Sequence, residues 1–237
     1  MKKIINMLLH SIGYQISKYH KHKIVQNPFN LLELCVNDRI TRSDSYYAVQ
    51  IGANDGRRYD SVYGIAQKHA IKGLLVEPLP DMFLALKENY KEQEGFVFEN
   101  CAIGNEEGSL PFYRIKGDAN IPDWAHGIAS FDKSHIEKFD VVKPELIEEI
   151  TVPTTTFSSL IKKHNVEKID LLVIDTEGFD YEILKMVMKA KVFPDVLQYE
   201  FQHLSMSDQI ECNKLLTENN YEFISYGSDM VAMRVLN

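Results

Sequence analysis

The sequence is poor in cysteine: only Cys35, Cys101 and Cys212 occur in 237 residues, and they lie far apart. No Cys-x-x-Cys pair exists, which excludes a zinc ribbon and argues against a disulfide framework. Sparse, scattered thiols suit a reducing compartment, so a cytoplasmic protein is expected. Long apolar runs are missing too, and none approaches the ~20 residues of a membrane span. Basic charge is not in excess. The 26 Lys and Arg stand against 34 Asp and Glu, a net charge of -8 at pH 7. A general nucleic-acid binder needs a basic surface to neutralise phosphates, so no nucleic-acid partner is expected. There is no internal repeat and no low-complexity segment.

The charge that is present is uneven. Residues 1–32 carry Lys2, Lys3, Lys18, Lys21 and Lys23 and no acid, which leaves -13 on the rest. The first residues resemble a signal peptide briefly, but Asn6 and His10 break the apolar stretch and no small-x-small cleavage site follows. The spacing of Ile4, Met7, Leu8 and Ile12 predicts a helix with an apolar face to pack on the domain. A basic amphipathic segment of this kind can also make a weak contact with an anionic lipid surface. Residues 1–45 are therefore expected to form an N-terminal helical extension, and 46–237 a single α/β domain, a length that one large domain accommodates.

Within that domain apolar runs alternate with helical patterns, the rhythm of βαβ units around a mostly parallel sheet. Tyr46 to Ile51 reads as a buried strand that stops at Gly52-Ala53-Asn54-Asp55-Gly56. A helix is expected from roughly 59 to 69. A strand feeding a glycine-rich turn at a helix start is how an open α/β sheet builds a nucleotide crevice at its carboxyl edge. A second strand, about 72 to 76, stops at Glu77-Pro78, and a carboxylate there can accept both hydroxyls of a ribose. A nucleoside-bearing cofactor is the inference. Phe96 to Phe98 forms a third strand, ending near Asn100 and Cys101. Ile169 to Ile174 is fit for a central strand and ends in Asp175-Thr176-Glu177-Gly178. Val196 to Phe201 follows, then a polar helix over roughly 206–219 and an antiparallel hairpin around Gly227-Ser228-Asp229. The total is about seven strands. Residues 104–150 break the rhythm and read as an insertion over the sheet's carboxyl edge, where irregular loops often serve as lids; Ser109 to Ile115 can form a strand there, and Glu149 to Pro153 reads as a short strand.

Five segments in this order, Ile51-Gly52-Ala53-Asn54-Asp55-Gly56, Val76-Glu77-Pro78, Cys101-Ala102-Ile103-Gly104-Asn105, Val152-Pro153-Thr154-Thr155-Thr156-Phe157 and Ile174-Asp175-Thr176-Glu177-Gly178, resemble the successive motifs of the FkbM-type methyltransferases. The resemblance covers roughly residues 46–202. It implies a seven-stranded Rossmann-like domain, S-adenosyl-L-methionine as cofactor, and methyl transfer to a hydroxyl of a sugar, glycolipid or secondary metabolite. It does not carry a substrate. Nor does the sequence fix an oligomeric state.

The candidate cofactor residues are then Gly52, Ala53, Asn54, Asp55, Gly56, Glu77, Pro78, Cys101, Ala102 and Asp175. The glycines let backbone run against the amino-acid end of the cofactor. Asn54 and Asp55 can meet its ammonium and carboxylate, Glu77 its ribose, and the backbone of Cys101 or Ala102 its adenine. Asp175 and Glu177, at the tip of the fourth strand, are candidates to orient the acceptor or remove its proton. Hard oxygen ligands of this kind can also hold a divalent cation with a sugar diol, although no metal set is assigned. His126 and His203 are the other candidate bases, Glu200 can face the same crevice, and Trp124 and Tyr113 can stack on a sugar ring. Removal of 117–135 is expected to spare cofactor binding and end turnover. Two other functions fit parts of the pattern: a nicotinamide-dependent oxidoreductase, disfavoured by Gly-x-Asn-x-Gly in place of Gly-x-Gly-x-x-Gly, and a non-catalytic Rossmann-like binding module.

Overall fold

The structure, a computed structural model, describes residues 30–43, 45–58 and 60–235. The expected helix through Ile4 and Ile12 lies outside the described residues. The first described helix, α1 (Leu31–Ile40), buries Leu32, Cys35, Val36 and Arg39. Arg39 donates from Nη2 to the carbonyl of Arg234 at 2.8 Å, which ties this helix to the last strand of the sheet.

The main sheet is built from β1 (Tyr47–Ile51), β2 (Lys72–Val76), β3 (Phe96–Glu99), β8 (Leu171–Ile174), β9 (Val196–Glu200), β10 (Tyr221–Tyr226) and β11 (Asp229–Arg234), in the spatial order β10-β11-β9-β8-β1-β2-β3. The five strands from β3 to β9 pair parallel. β11 is antiparallel to both its neighbours, β9 and β10. Helices α2 (Tyr63–Lys68), α3 (Pro80–Asn89), α5 (Phe157–Lys163), α6 (Asp180–Lys189) and α7 (Met206–Glu218) connect these strands. The apolar runs hide a period of two. Val49, Ile51, Leu74, Val76, Leu172, Ile174, Leu197 and Tyr199 pack into one core. Their alternates Ala48, Leu75, Leu171, Val173 and Val196 pack into the other. Both faces are covered, as a parallel sheet requires. Each fully buried aliphatic side chain contributes about 1.5–3 kcal/mol of transfer free energy.

The fold agrees with the expected seven-stranded, mostly parallel Rossmann-like sheet. The strands expected at Ser109–Ile115 and Glu149–Pro153 are present, and they join in a second sheet that the sequence did not indicate. β5 (Gly108–Ile115) runs antiparallel to β7 (Ile147–Thr155) over its whole length, from Gly108 opposite Thr154 to Ile115 opposite Ile147. β4 (Ala102–Ile103) lies parallel to the end of β7, and β6 (Ala129–Ser130) pairs with β5. This second, four-stranded sheet has small cores of its own around Leu79, Phe112 and Val152 and around Ile115, Ile128 and Ile136. A buried Arg114 on β5 donates two bonds to Asp81 on α3, at 2.6 and 2.7 Å, which pins the second sheet to the first.

Candidate active site

Chain order and space part company between β1 and β8. From β1 the chain proceeds to β2 and β3 on one side, then returns to β8 and β9 on the other. That switch point, at the strands' carboxyl ends, is where an open α/β sheet leaves a crevice. The strand tips are knitted together there. The N–H groups of Gly52 and Ala53 both donate to the carbonyl of Val76, at 2.9 and 3.0 Å, and the N–H of Asp175 donates to the carbonyl of Ile51 at 2.9 Å. Gly52 has φ +83°, and a Cβ added to it would sit 1.7 Å from the carbonyl oxygen of Asp175. Only glycine lets β1 and β8 close in this way.

The resulting cavity, of about 200 Å³, is lined by Gly52, Asn54, Glu77, Pro78, Cys101, Ala102, Asp175 and Glu177, with Phe112, Phe131 and Phe179 as apolar walls. The three rings stack edge to face, Phe131 lying 4.9 Å from Phe112 and 5.5 Å from Phe179. Glu77 is only 4% exposed. Its Oε2 accepts the Asn54 N–H and its Oε1 the Leu79 N–H, both at 2.8 Å. Each oxygen keeps a second lone pair for a ligand hydroxyl. Asn100 steadies the loop from outside by donating to the carbonyls of Glu77 and Pro78.

Burial pushes the Glu77 carboxyl up to about 7, against the opposing pull of the Leu79 and Asn54 N–H groups. The sign of the consequence follows. A folded-state pKa above the unfolded value makes the ionised form costly, so stability falls as pH rises from the ordinary glutamate range toward 7. The ionised form, with both oxygens free to accept, is the stronger acceptor for a ligand diol, so affinity should climb through the same window and level off above it. Between about pH 8 and pH 6 the affinity for S-adenosylhomocysteine is expected to drop roughly tenfold. Calorimetry on Glu77→Gln should show that slope flattened, and an unchanged slope would assign it elsewhere.

Other candidate residues take different positions. Ala53, Asp55 and Gly56 support the turn and do not line the cavity. Asp55 is occupied: it accepts the N–H groups of Arg57 and Arg58 and the Arg58 guanidinium. Burial opposes its ionisation, yet those bonds hold its carboxyl below the usual range. Burial and the nearby Glu99 push the Cys101 thiol up to about 12, so it stays a neutral wall. Trp124 lines the cavity and is 45% exposed, whereas Tyr113 does not line it.

Asp175 and Glu177 both line the cavity, with carboxylate oxygens within 4.8 Å of one another. Glu177 has φ +52° and Gly178 φ +100°. Thr176 donates from Oγ1 to the fully buried Asp180 at 2.9 Å, which fastens the turn to the start of α6. Asp175 is exposed to the cleft. Enclosure by the cleft walls, then the charges of Glu177, Glu200, Asp180 and Asp229, raise its carboxyl well above the usual range. Burial and Glu177 likewise bring Glu200 to about 8.

His203 reaches this group, with Nε2 3.8 Å from Glu177 Oε2 and 3.5 Å from Glu200 Oε2. Burial lowers its pKa despite the opposing charge of Glu177, so it is neutral near pH 7 and able to accept a proton. His126 sits in the 3-10 turn Asp123–Gly127 and is not among the cavity's lining residues. The insertion's histidine beside Glu177 is instead His135, on the one-turn helix α4 (Lys133–Ile136), with Nε2 3.2 Å from Glu177 Oε2. No motif singled it out, since nothing in the spacing of a non-periodic segment separates His135 from His126. The insertion also walls the cavity: Trp124, Gly127, Ala129 and Phe131 all line it. A Cβ on Gly127 would meet Asn54 Nδ2 at 2.0 Å. Residues 117–135 therefore wall the cavity as well as carrying His126 and His135.

This sheet order, the glycine turn and the crevice define a Rossmann-like methyltransferase domain. The chain belongs to the FkbM methyltransferase family, whose "Methyltransferase FkbM domain" profile matches residues 50–223. Among solved structures, it resembles methyltransferase FkbM from Methylobacillus flagellatus KT, at 14% identity and a TM-score of 0.52 over 80% of this chain. The chain spans 44% of that protein's length. A ribosomal protein L11 methylase from Lactobacillus delbrueckii subsp. bulgaricus (11% identity, TM-score 0.42, 86% of this chain and 77% of that one) and a human methyltransferase 10 domain containing protein (12%, 0.44, 98% and 95%) are more distant likenesses. No curated protein matches the chain in sequence.

Proposed function

We propose that the protein is an S-adenosyl-L-methionine-dependent O-methyltransferase whose acceptor is a hydroxyl of a sugar, glycolipid or other polyhydroxylated small molecule. The observation that carries this reading is the convergence of Gly52, Glu77 and Asp175 on one cavity that Glu177 also lines. The cavity is closed by bare backbone at Gly52 and holds a deep carboxylate at Glu77, which fits an adenosyl ligand with its ribose at the bottom. A sulfonium methyl would then face Asp175 and Glu177.

The cofactor arrives already activated, so alignment of the attacking oxygen is most of what the protein must supply. Asp175 and Glu177 accept hydrogen bonds from the acceptor hydroxyl and orient it, and a neutral His203 beside them can take its proton. The exposed Trp124 at the rim offers a face for a sugar ring. A net charge of -8 fits a neutral acceptor better than a nucleic acid. Three free, buried cysteines fit a reducing compartment such as the cytoplasm. No helix among the described residues is long and apolar enough to cross a membrane. The test is mass spectrometry of glycans and lipids from cells with and without the gene. A species heavier by one CH₂, about 14 Da, that depends on the gene and on a sugar hydroxyl is the expected result. A gene-dependent methyl on nitrogen would overturn the oxygen assignment.

A further inference from the structure

The wall formed by Asp175 and Glu177 has a far side. His135 and His203 both direct Nε2 at the same oxygen, Glu177 Oε2, from 3.2 and 3.8 Å. Their rings meet edge to face at 5.0 Å. On its other flank Glu177 groups with Asp175 and Glu200, and in each trio the ligand atoms lie within 4.8 Å of one another. The five side chains come from distant parts of the chain: helix α4, the turn after β8, the end of β9 and the loop beyond it.

We propose that His135, Glu177 and His203 form a binding site for one divalent first-row transition cation, with Asp175 and Glu200 as adjoining oxygen donors.

The spacing fits. Ligand atoms held about 2.0–2.2 Å from a central ion lie roughly 3.0–3.5 Å from each other. The separations of 3.2, 3.5 and 3.8 Å need only small adjustments to meet that. Imidazole–carboxylate hydrogen bonding alone would account for His135 on Glu177, but it leaves Glu200 Oε2 buried with no hydrogen-bond donor. A buried carboxylate oxygen without a partner is costly, and a cation at the centre of the cluster would satisfy it. Two imidazoles with carboxylates suit Mn, Fe, Co or Zn rather than the all-oxygen preference of Mg or Ca. The scaffold holds the ligands in place. Phe139 packs against both imidazoles, at 5.7 and 5.5 Å. Gly178 presents bare backbone to His135, whose Nδ1 would lie 3.3 Å from a Cβ there. One competing group exists: the Gln202 amide nitrogen lies 3.2 Å from His203 Nε2 and 2.7 Å from Glu200 Oε1. Gln202 is exposed and can rotate into solvent when an ion enters.

The role of the site rests on the methyl-transfer reading; its existence does not. Three protein ligands leave positions open, and an acceptor hydroxyl bound at one of them would sit beside Asp175 at the mouth of the cofactor cavity. Coordination lowers the hydroxyl's pKa. With the ion bound, His203 Nε2 is a ligand and no longer the proton acceptor, so the proton passes to water, an oxygen lone pair forms the new bond to the methyl carbon, and the carbon–sulfur pair remains on sulfur as a neutral thioether. An acceptor with two neighbouring hydroxyls would occupy two positions, which narrows the substrate class to polyols.

The test uses the full chain, stripped by a chelator and titrated with Co²⁺ alone while visible absorption is recorded. One Co²⁺ per chain with ligand-field bands is expected. His135→Gln and His203→Gln should each weaken it at least about tenfold with an unchanged thermal melt. No bands, or equal affinity in the folded double variant, would overturn the site. Because His135 is buried, His203→Gln serves as the decisive variant should the other fail to fold. S-adenosylhomocysteine is titrated into the same stripped protein. Binding of it without Co²⁺ binding ends the metal proposal alone, and Co²⁺ binding without it ends the methyl-transfer reading alone.

Discussion

Gly52→Ala is expected to abolish detectable binding of S-adenosylhomocysteine and to lower the melting temperature by about 2–12 °C, taking 1–3 kcal/mol of backbone strain at 2–4 °C per kcal/mol for a chain of this size. Two independent effects act together. The backbone holds φ +83°, a region that disfavours any side chain, and the new Cβ would stand 1.7 Å from the Asp175 carbonyl oxygen. That oxygen belongs to main chain at the end of β8 and cannot swing aside as a side-chain tip can. The tips of β1 and β8 must separate, and the cavity between them loses its floor. Gly64→Ala is the matched control: nothing lies within 4 Å of a Cβ at that position, so it should retain binding and melt no lower. Scanning calorimetry and ligand titration of the pair check the contrast. Normal binding by Gly52→Ala would mean that the ligand does not rest on these strand tips.

Glu177→Gln is expected to cut methyl transfer by about 10²-fold or more, the order of loss when a reacting group is misaligned, with affinity for S-adenosylhomocysteine little changed. The substitution keeps the length of the side chain and removes its charge. Glu177 reaches toward His135 and His203 rather than toward Glu77 at the cofactor end. Its charge is also one of the causes that hold Asp175 and Glu200 above their ordinary pKa values. Residual activity should therefore show its acidic limb at lower pH than the parent. Single-turnover kinetics with the acceptor identified by mass spectrometry would measure both effects. Parent-like turnover would remove Glu177 from the chemistry.

The parts of this site that sequence revealed are those built from contiguous residues. A buried strand that stops abruptly at a turn announces its own tip: β1 stops at Gly52, β2 at Glu77-Pro78 and β8 at Asp175-Thr176-Glu177-Gly178, which is why Gly52, Glu77 and Asp175 stand out in the sequence. The pairings that sequence left hidden join residues remote in the chain. β5 and β7 recognise each other only across the ladder from Gly108 opposite Thr154 to Ile115 opposite Ile147, so each strand is legible alone but their pairing is not. Helix α2 is shorter than periodicity implied because Asp60 accepts the N–H of Tyr63 and holds the preceding residues in a turn. Asp55 looked available for the cofactor's ammonium, but two backbone N–H groups and Arg58 already occupy it. His135 was invisible for a further reason: its meaning lies in what faces it, and Glu177 is 42 residues away.

The central claim is that β1, β2 and β8 end on one adenosyl-binding cavity with Glu77 at the ribose. Calorimetric titration of the protein and of Glu77→Ala with S-adenosylhomocysteine, and of the protein with NAD, tests it most directly. One molecule of S-adenosylhomocysteine should bind per chain, NAD should give no heat, and Glu77→Ala should weaken binding by roughly 1.5–3 kcal/mol. Heat with NAD alone, or S-adenosylhomocysteine binding indifferent to Glu77→Ala, would contradict it.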